Sequence, residues 1–134
     1  MAIERFEDIR GWQEARKLAQ MVHDLTGGDI FRRHFSLREQ MGRAAVSAMA
    51  NIAEGFDAGS DGEFARFLQY ALRSTTEVQS LLYVAFDRRL VTPEGFRELY
   101  DQAVLLKSVL AGFIRYLRDG SHDRQPSQAL DPRA

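Results

Sequence analysis

The chain has no cysteine, only 3 prolines among its 134 residues, and no apolar run approaching the ~18 residues that a membrane-spanning helix needs. Without thiols there can be no disulfide, zinc–thiolate site or cysteine nucleophile, and the composition suits a reducing compartment, so a cytoplasmic location is expected. The opening stretch MAIERFEDIRGW is charged and lacks the apolar core of a signal peptide. Histidine is scarce too. None of His23, His34 and His122 stands three residues after a glutamate, so the Glu-x-x-His pairs with which helical bundles hold two bridged metal ions are missing. Glu54 and Glu77 could both turn inward, but two carboxylates are too few ligands. GG and GSDG lack the spacing of a phosphate loop, and no serine has a histidine with an orienting partner. The expectation is a protein that is not an enzyme and uses no metal or cofactor. Neither sign of charge dominates: 18 basic residues stand against 19 acidic ones, which gives no global pull toward polyanions. Sixteen of those 18 are arginine, whose guanidinium suits bidentate contacts to phosphate or carboxylate wherever several gather.

What the chain does have is helical periodicity. From Ser36 to Glu77 it reads as two antiparallel helices around a glycine-containing turn. Ser36 and Glu39 have the spacing of a capping box. Leu37, Met41, Ala44, Ala48 and Asn51 then recur at intervals of 4-3-4-3, with Ala45, Met49 and Ile52 as a second row. Two apolar rows on one helix suggest burial against more than one neighbour, with apolar surface to spare for a second copy. Gly55 is expected to end this helix. Ser60 and Glu63 form another capping-box pair, after which Phe64, Leu68, Ala71, Thr75, Val78, Leu82 and Ala85 keep the 3.5-residue period of a left-handed bundle seam.

The flanking segments follow the same rule. Gly11, Ala15, Leu18, Val22 and Leu25 mark a first helix that starts near Glu7 or Asp8 and ends at Gly27-Gly28. The loop after it carries Phe31 and Phe35, which are expected to fold back over the bundle. Thr92-Pro93 opens a last helix, with threonine as cap and proline in the first turn. Its seam is Phe96, Leu99, Ala103, Leu106, Leu110, Phe113 and Leu117. The predicted domain is an all-α, up-down-up-down four-helix bundle over residues 1–118, with helices at 7–26, 36–55, 60–89 and 93–118. Residues 119–134 are polar, contain two prolines and show no periodicity, so they are expected to be a disordered, dispensable tail.

Two groups of side chains are candidate sites. In such a bundle the first and third connections share an end, which would gather Arg32, Arg33, Arg38, Arg88 and Arg89 there. Glu54, Asp57, Asp61 and Glu63 would lie at the other end, and Arg66 and Arg73 would add a stripe along the third helix. A phosphate-contacting surface is one reading of these arginines; ordinary solvated arginine is the other. The second group is polar: Gln40, Ser47, Asn51 and Glu54 on the second helix with Ser74 and Glu77 on the third. It reads as a hydrogen-bond network that fixes helix register, with Asn51 buried in the seam, rather than as a ligand site.

Particular residues carry a resemblance. They are Phe6, Ile9, Trp12, Ala15 and Leu18; Gln40, Arg43-Ala44-Ala45, Ser47 and Asn51-Ile52-Ala53-Glu54-Gly55; and Ser60, Glu63-Phe64, Phe67-Leu68, Ala71, Ser74 and Glu77. With them the chain resembles the four-helix-bundle proteins encoded within intervening sequences of bacterial 23S ribosomal RNA genes. That group also includes the accessory variability protein of diversity-generating retroelements. The match spans about residues 6–118, and Ser-x-x-x-Asn-Ile-Ala-Glu-Gly is its most specific part. Arg73 departs from it, because the family often has glycine before the serine at Ser74. The resemblance implies an up-down bundle that assembles as a ring, typically a homopentamer, without enzymatic activity. For the retroelement member it implies binding to a reverse transcriptase and to nucleic acid, either RNA or DNA, through a basic surface. The resulting expectation is an oligomeric, non-enzymatic bundle that binds nucleic acid or a nucleoprotein. The alternatives are a protein-interaction scaffold and a small-ligand or metal bundle.

Overall fold

A computed structural model describes residues 3–119, and the tail beyond Asp119 lies outside them. Within that range the chain is all-helical: α1 (Arg10–Thr26), α2 (Phe35–Phe56), α3 (Asp61–Asp87) and α4 (Pro93–Arg118), with short 3₁₀ turns at Phe6–Asp8 and Asp29–Phe31. Each helix packs on the one before and after it, and α4 closes the ring onto α1. Every neighbouring pair is antiparallel. Gly11 at the start of α1 meets Leu110 near the end of α4 and Ile52 near the end of α2. Ser47 meets Ser74, and Tyr83 meets Tyr100.

The core is built from the predicted seams. Leu18, Val22, Met41, Ala48, Ile52, Phe64, Leu68, Val78, Leu82, Leu106 and Leu110 are all buried. Both apolar rows of α2 point inward, so the row containing Ala45 and Ile52 is not spare surface. α1 and α3 approach α2 from either side: Ile52 reaches Gly11 of α1, while Gly55 and Ser47 meet α3. The apolar surface that α2 does leave outside is a different one, carried by Phe35 and Val46 with the exposed Ala50.

Several helix ends differ from the sequence expectation, each for a local reason. The acids Glu7 and Asp8 sit in a separate 3₁₀ turn, because Ile9 is extended (φ −76°, ψ 123°) and buries its side chain completely. The Gln13 amide bridges that break by donating to the Glu7 carbonyl at 2.9 Å. α2 starts at Phe35 behind an uncapped His34, so Ser36 is no cap; its hydroxyl instead accepts from Gln40 at 3.2 Å. Phe31 folds into the core as expected, but Phe35 is 64% exposed. At 100° per residue, Phe35 and Leu37 lie about 200° apart, so burying one turns the other outward. Gly55 does not stop α2, which continues to Phe56. The left-handed residue of that turn is Gly59, at φ 89°. The later caps form as read: the Ser60 hydroxyl accepts from the Glu63 amide at 3.2 Å, and Thr92 accepts from the Gly95 amide at 3.0 Å ahead of Pro93.

α3 closes with a Schellman motif. The Leu90 amide donates to Ala85 at 2.9 Å and the Arg89 amide to Phe86 at 3.0 Å, with Leu90 buried. The left-handed position, normally glycine, is Arg89 at φ 61°. A left-handed L-residue costs roughly 1–2 kcal/mol, partly offset in a glycine variant by that residue's larger entropy loss of ~0.5–1 kcal/mol. Arg89→Gly is therefore expected to raise stability by about 0.5–1 kcal/mol in urea unfolding; a clear loss would show that the arginine side chain itself holds the turn.

Candidate nucleic-acid interface

The antiparallel packing brings the α1–α2 and α3–α4 connections to one end of the bundle. Arg32, Arg33, Arg88 and Arg89 are exposed in those connections, and Arg38 is exposed in the first turn of α2. Arg97, in the first turns of α4, is a sixth exposed arginine at this end. Charge here is not unopposed. Arg32 pairs with Asp29 at 3.2 Å, and Glu39, Asp87 and Glu94 lie nearby in sequence. The Arg32–Asp29 pair is fully solvated and of little energetic weight, so the guanidinium is free to exchange partners.

Arg66 and Arg73 do not join this group. Arg66 lies in the second turn of α3, at the opposite end. It is engaged locally: its Nε donates to the Tyr70 hydroxyl at 2.6 Å, and its Nη1 to Glu63 at 3.2 Å. These partners, Tyr70 foremost, hold its guanidinium above the ordinary arginine pKa. Arg73 is exposed midway along α3, about ten ångströms of helix rise from Arg66. Nor is the opposite end purely acidic. Arg10, Arg115 and Arg118 border an open groove of about 1040 Å³ beside the last turns of α4. Composition could not reveal this, because α4 returns its C-terminal arginines to the end where the turn acids lie.

The polar residues of α2 and α3 divide in two. The Ser47 and Ser74 hydroxyls meet at 3.0 Å, and the Asn51 amide donates to the Ser47 carbonyl at 2.8 Å and hydroxyl at 3.1 Å. These three form a polar tie across the α2–α3 contact. Asn51 is half-buried at its edge, and Ile52 occupies the core position instead. Similar ties join α4 to its neighbours: Gln102 donates to Glu14 of α1 at 2.9 Å, and Lys107 to Gln79 of α3 at 3.1 Å. Gln40, Arg43, Glu54 and Glu77 are exposed. Glu54 and Glu77 thus do not turn into the core, and no group of three or more metal-ligating side chains occurs among the described residues. Gly55 is set against α3, where an added Cβ would lie 2.6 Å from that of Phe67.

Beside the arginines lies a cluster the sequence reading did not single out. Tyr83 and Phe86 of α3 pack with Phe96 and Tyr100 of α4, ring centroids 5.0–5.8 Å apart. Phe96 had been read as a seam residue, yet it is only half-buried, inside this cluster. The signal that could have found it was the pair Tyr83 and Phe86, each one position past a seam residue at the end of a long helix.

The 23S rRNA-intervening sequence protein family matches the chain over residues 7–112, which takes in α1, α2, α3 and most of α4. The chain belongs to that family. Among solved structures, a Bacteroides thetaiotaomicron protein of unknown function from the S23 ribosomal protein family has the same fold. Its TM-score is 0.73 at 21% identity, over 78% of this chain and 98% of that one. No curated protein matches the sequence. The family match includes the Ser47–Asn51 run and Ser74, so in this member those family positions form the tie between α2 and α3. No described helix is long and apolar enough to cross a membrane.

Proposed function

We propose that this family member is a non-enzymatic, self-associating bundle that binds nucleic acid, or a nucleoprotein such as a reverse transcriptase complex, through its arginine-bearing end. The observation that carries the reading is the convergence of Arg32, Arg33, Arg38, Arg88 and Arg89 on one end of a molecule whose overall charge is close to zero. A ring of copies would point that end one way in every subunit and multiply its weak phosphate contacts. The exposed Phe35 and Val46 on α2 supply apolar surface for such an assembly. The same surface supports a second reading, a protein-interaction scaffold that does not bind nucleic acid.

The test is fluorescence anisotropy of a labelled 20-mer RNA and its DNA counterpart, with the Arg32→Glu/Arg33→Glu/Arg88→Glu variant beside the parent. About four phosphate contacts should cost the parent ~50-fold in affinity between 50 and 200 mM salt on a single strand. The triple variant should lose binding while keeping the parent's mass in sedimentation. A parent that is monomeric at micromolar concentration removes the assembly. Equal binding by parent and variant removes the arginine end, and no binding to either polymer leaves the scaffold reading.

A further inference from the structure

We infer that the ring cluster beside the arginine end is a stacking platform for the unpaired bases of a single nucleic-acid strand; this rests on the polyanion reading above and adds to it the class of strand. Phe96 and Tyr100 stack at 5.5 Å with 18° between their planes, and form the fixed inner layer. Tyr83 stands across that layer, 5.0 Å from Phe96 and 5.8 Å from Tyr100 at steep interplanar angles, and Phe86 leans on Phe96 at 5.0 Å. The outer two rings remain partly in solvent, Tyr83 at 50% and Phe86 at 39% exposure. Phe31, Phe64 and Phe113 by contrast are in the core, while the exposed Phe35 lies outside this cluster. A rigid aromatic surface held open to water, with its inner side anchored, is what a base needs to stack upon.

The surrounding charge is mixed, with Asp87, Glu94 and Glu98 interleaved, and its arginines are what suit this patch to a nucleic-acid strand. Arg88 and Arg89 follow Phe86 by two and three residues, and Arg97 adjoins Phe96. Cations beside rings match a strand whose phosphates and bases alternate at short range. A two-fold contact between copies through this patch would set the same arginines against each other. A duplex keeps its bases stacked inside and offers the rings nothing but backbone, so the preference should be for unpaired strands.

The test compares a labelled 12-mer of oligouridine with an RNA duplex of equal length, using full-length protein. Tyr83→Ala/Phe86→Ala should weaken single-strand binding roughly tenfold or more, leaving duplex binding and the salt slope unchanged. Tyr83→Phe, which keeps the ring, should bind as the parent. Arg88→Ala/Arg97→Ala should weaken both ligands and flatten the salt slope. If the ring variant binds oligouridine as well as the parent while the arginine variant does not, the platform is wrong and the polyanion reading stands. If the parent binds neither polymer, both fall. If the ring variant instead changes the sedimenting mass without changing affinity, the rings are a contact between copies and the inference is overturned.

Discussion

Gly55→Ala is expected to destabilise the protein by about 1–2 kcal/mol, while Gly42→Ala, the same substitution elsewhere on the same helix, stabilises it by up to ~1 kcal/mol. Alanine is the better helix former by ~1 kcal/mol at either site. The surroundings decide the sign. At Gly55 the new Cβ would lie 2.6 Å from Phe67 Cβ and 3.0 Å from a Phe64 ring carbon. The nearer atom is anchored directly to the α3 backbone, so it cannot swing aside and the helices must separate. Forced overpacking of this kind costs typically 1–3 kcal/mol and occasionally more, which outweighs the helix-propensity gain. At Gly42 an added Cβ meets nothing within 4 Å, and the propensity gain stands alone. Urea unfolding of the two variants measures both; shifts of the same sign would refute the close approach of α2 and α3.

Phe64→Ala is expected to be the most damaging single truncation, at about 3–5 kcal/mol. Phe64 is completely buried and joins three helices. Its ring meets Phe113 of α4 at 5.0 Å and Phe56 of α2 at 6.0 Å, both edge-on. Truncation removes the area buried by the ring and leaves a hole lined by stiff aromatic neighbours that cannot collapse into it. Thermal unfolding should fall by roughly 10–20 °C, at about 3–5 °C per kcal/mol for a chain of this size. Phe64→Leu should recover much of the loss. A drop of only a few degrees for the alanine variant would mean that this end of the core repacks freely.

The bundle was legible because its apolar residues recur at two spacings only, and because Ser60 and Thr92 put an oxygen where the first free amides of α3 and α4 need one. Those caps are local chemistry, visible without knowing any neighbour. Gly55 was misread for the opposite reason. A glycine near a helix end resembles a stop, and only the arrival of Phe67 from α3 gives it a packing role. Ser36 was misread as a cap because the preceding 3₁₀ turn, which seats Phe31, sets where α2 begins. The arginine end was half legible: topology alone brought five guanidinium groups together. The separation of Arg66 from them was foreseeable from its position early in α3. Its pairing with Tyr70, and the Tyr83–Tyr100 cluster, depend on how two helix faces meet.

The alternating up and down course of the helices has an electrostatic consequence for the arginine end. Two helix C-termini, those of α1 and α3, and two N-termini, those of α2 and α4, meet there. Their partial charges, about half an elementary charge each and opposite in sign, nearly cancel. The backbone thus lends that end almost no attraction for an anion, unlike a site built on a single helix start. Whatever potential a polyanion meets there comes from side chains alone, and is set one residue at a time by substituting arginine or by freeing it from an acid such as Asp29.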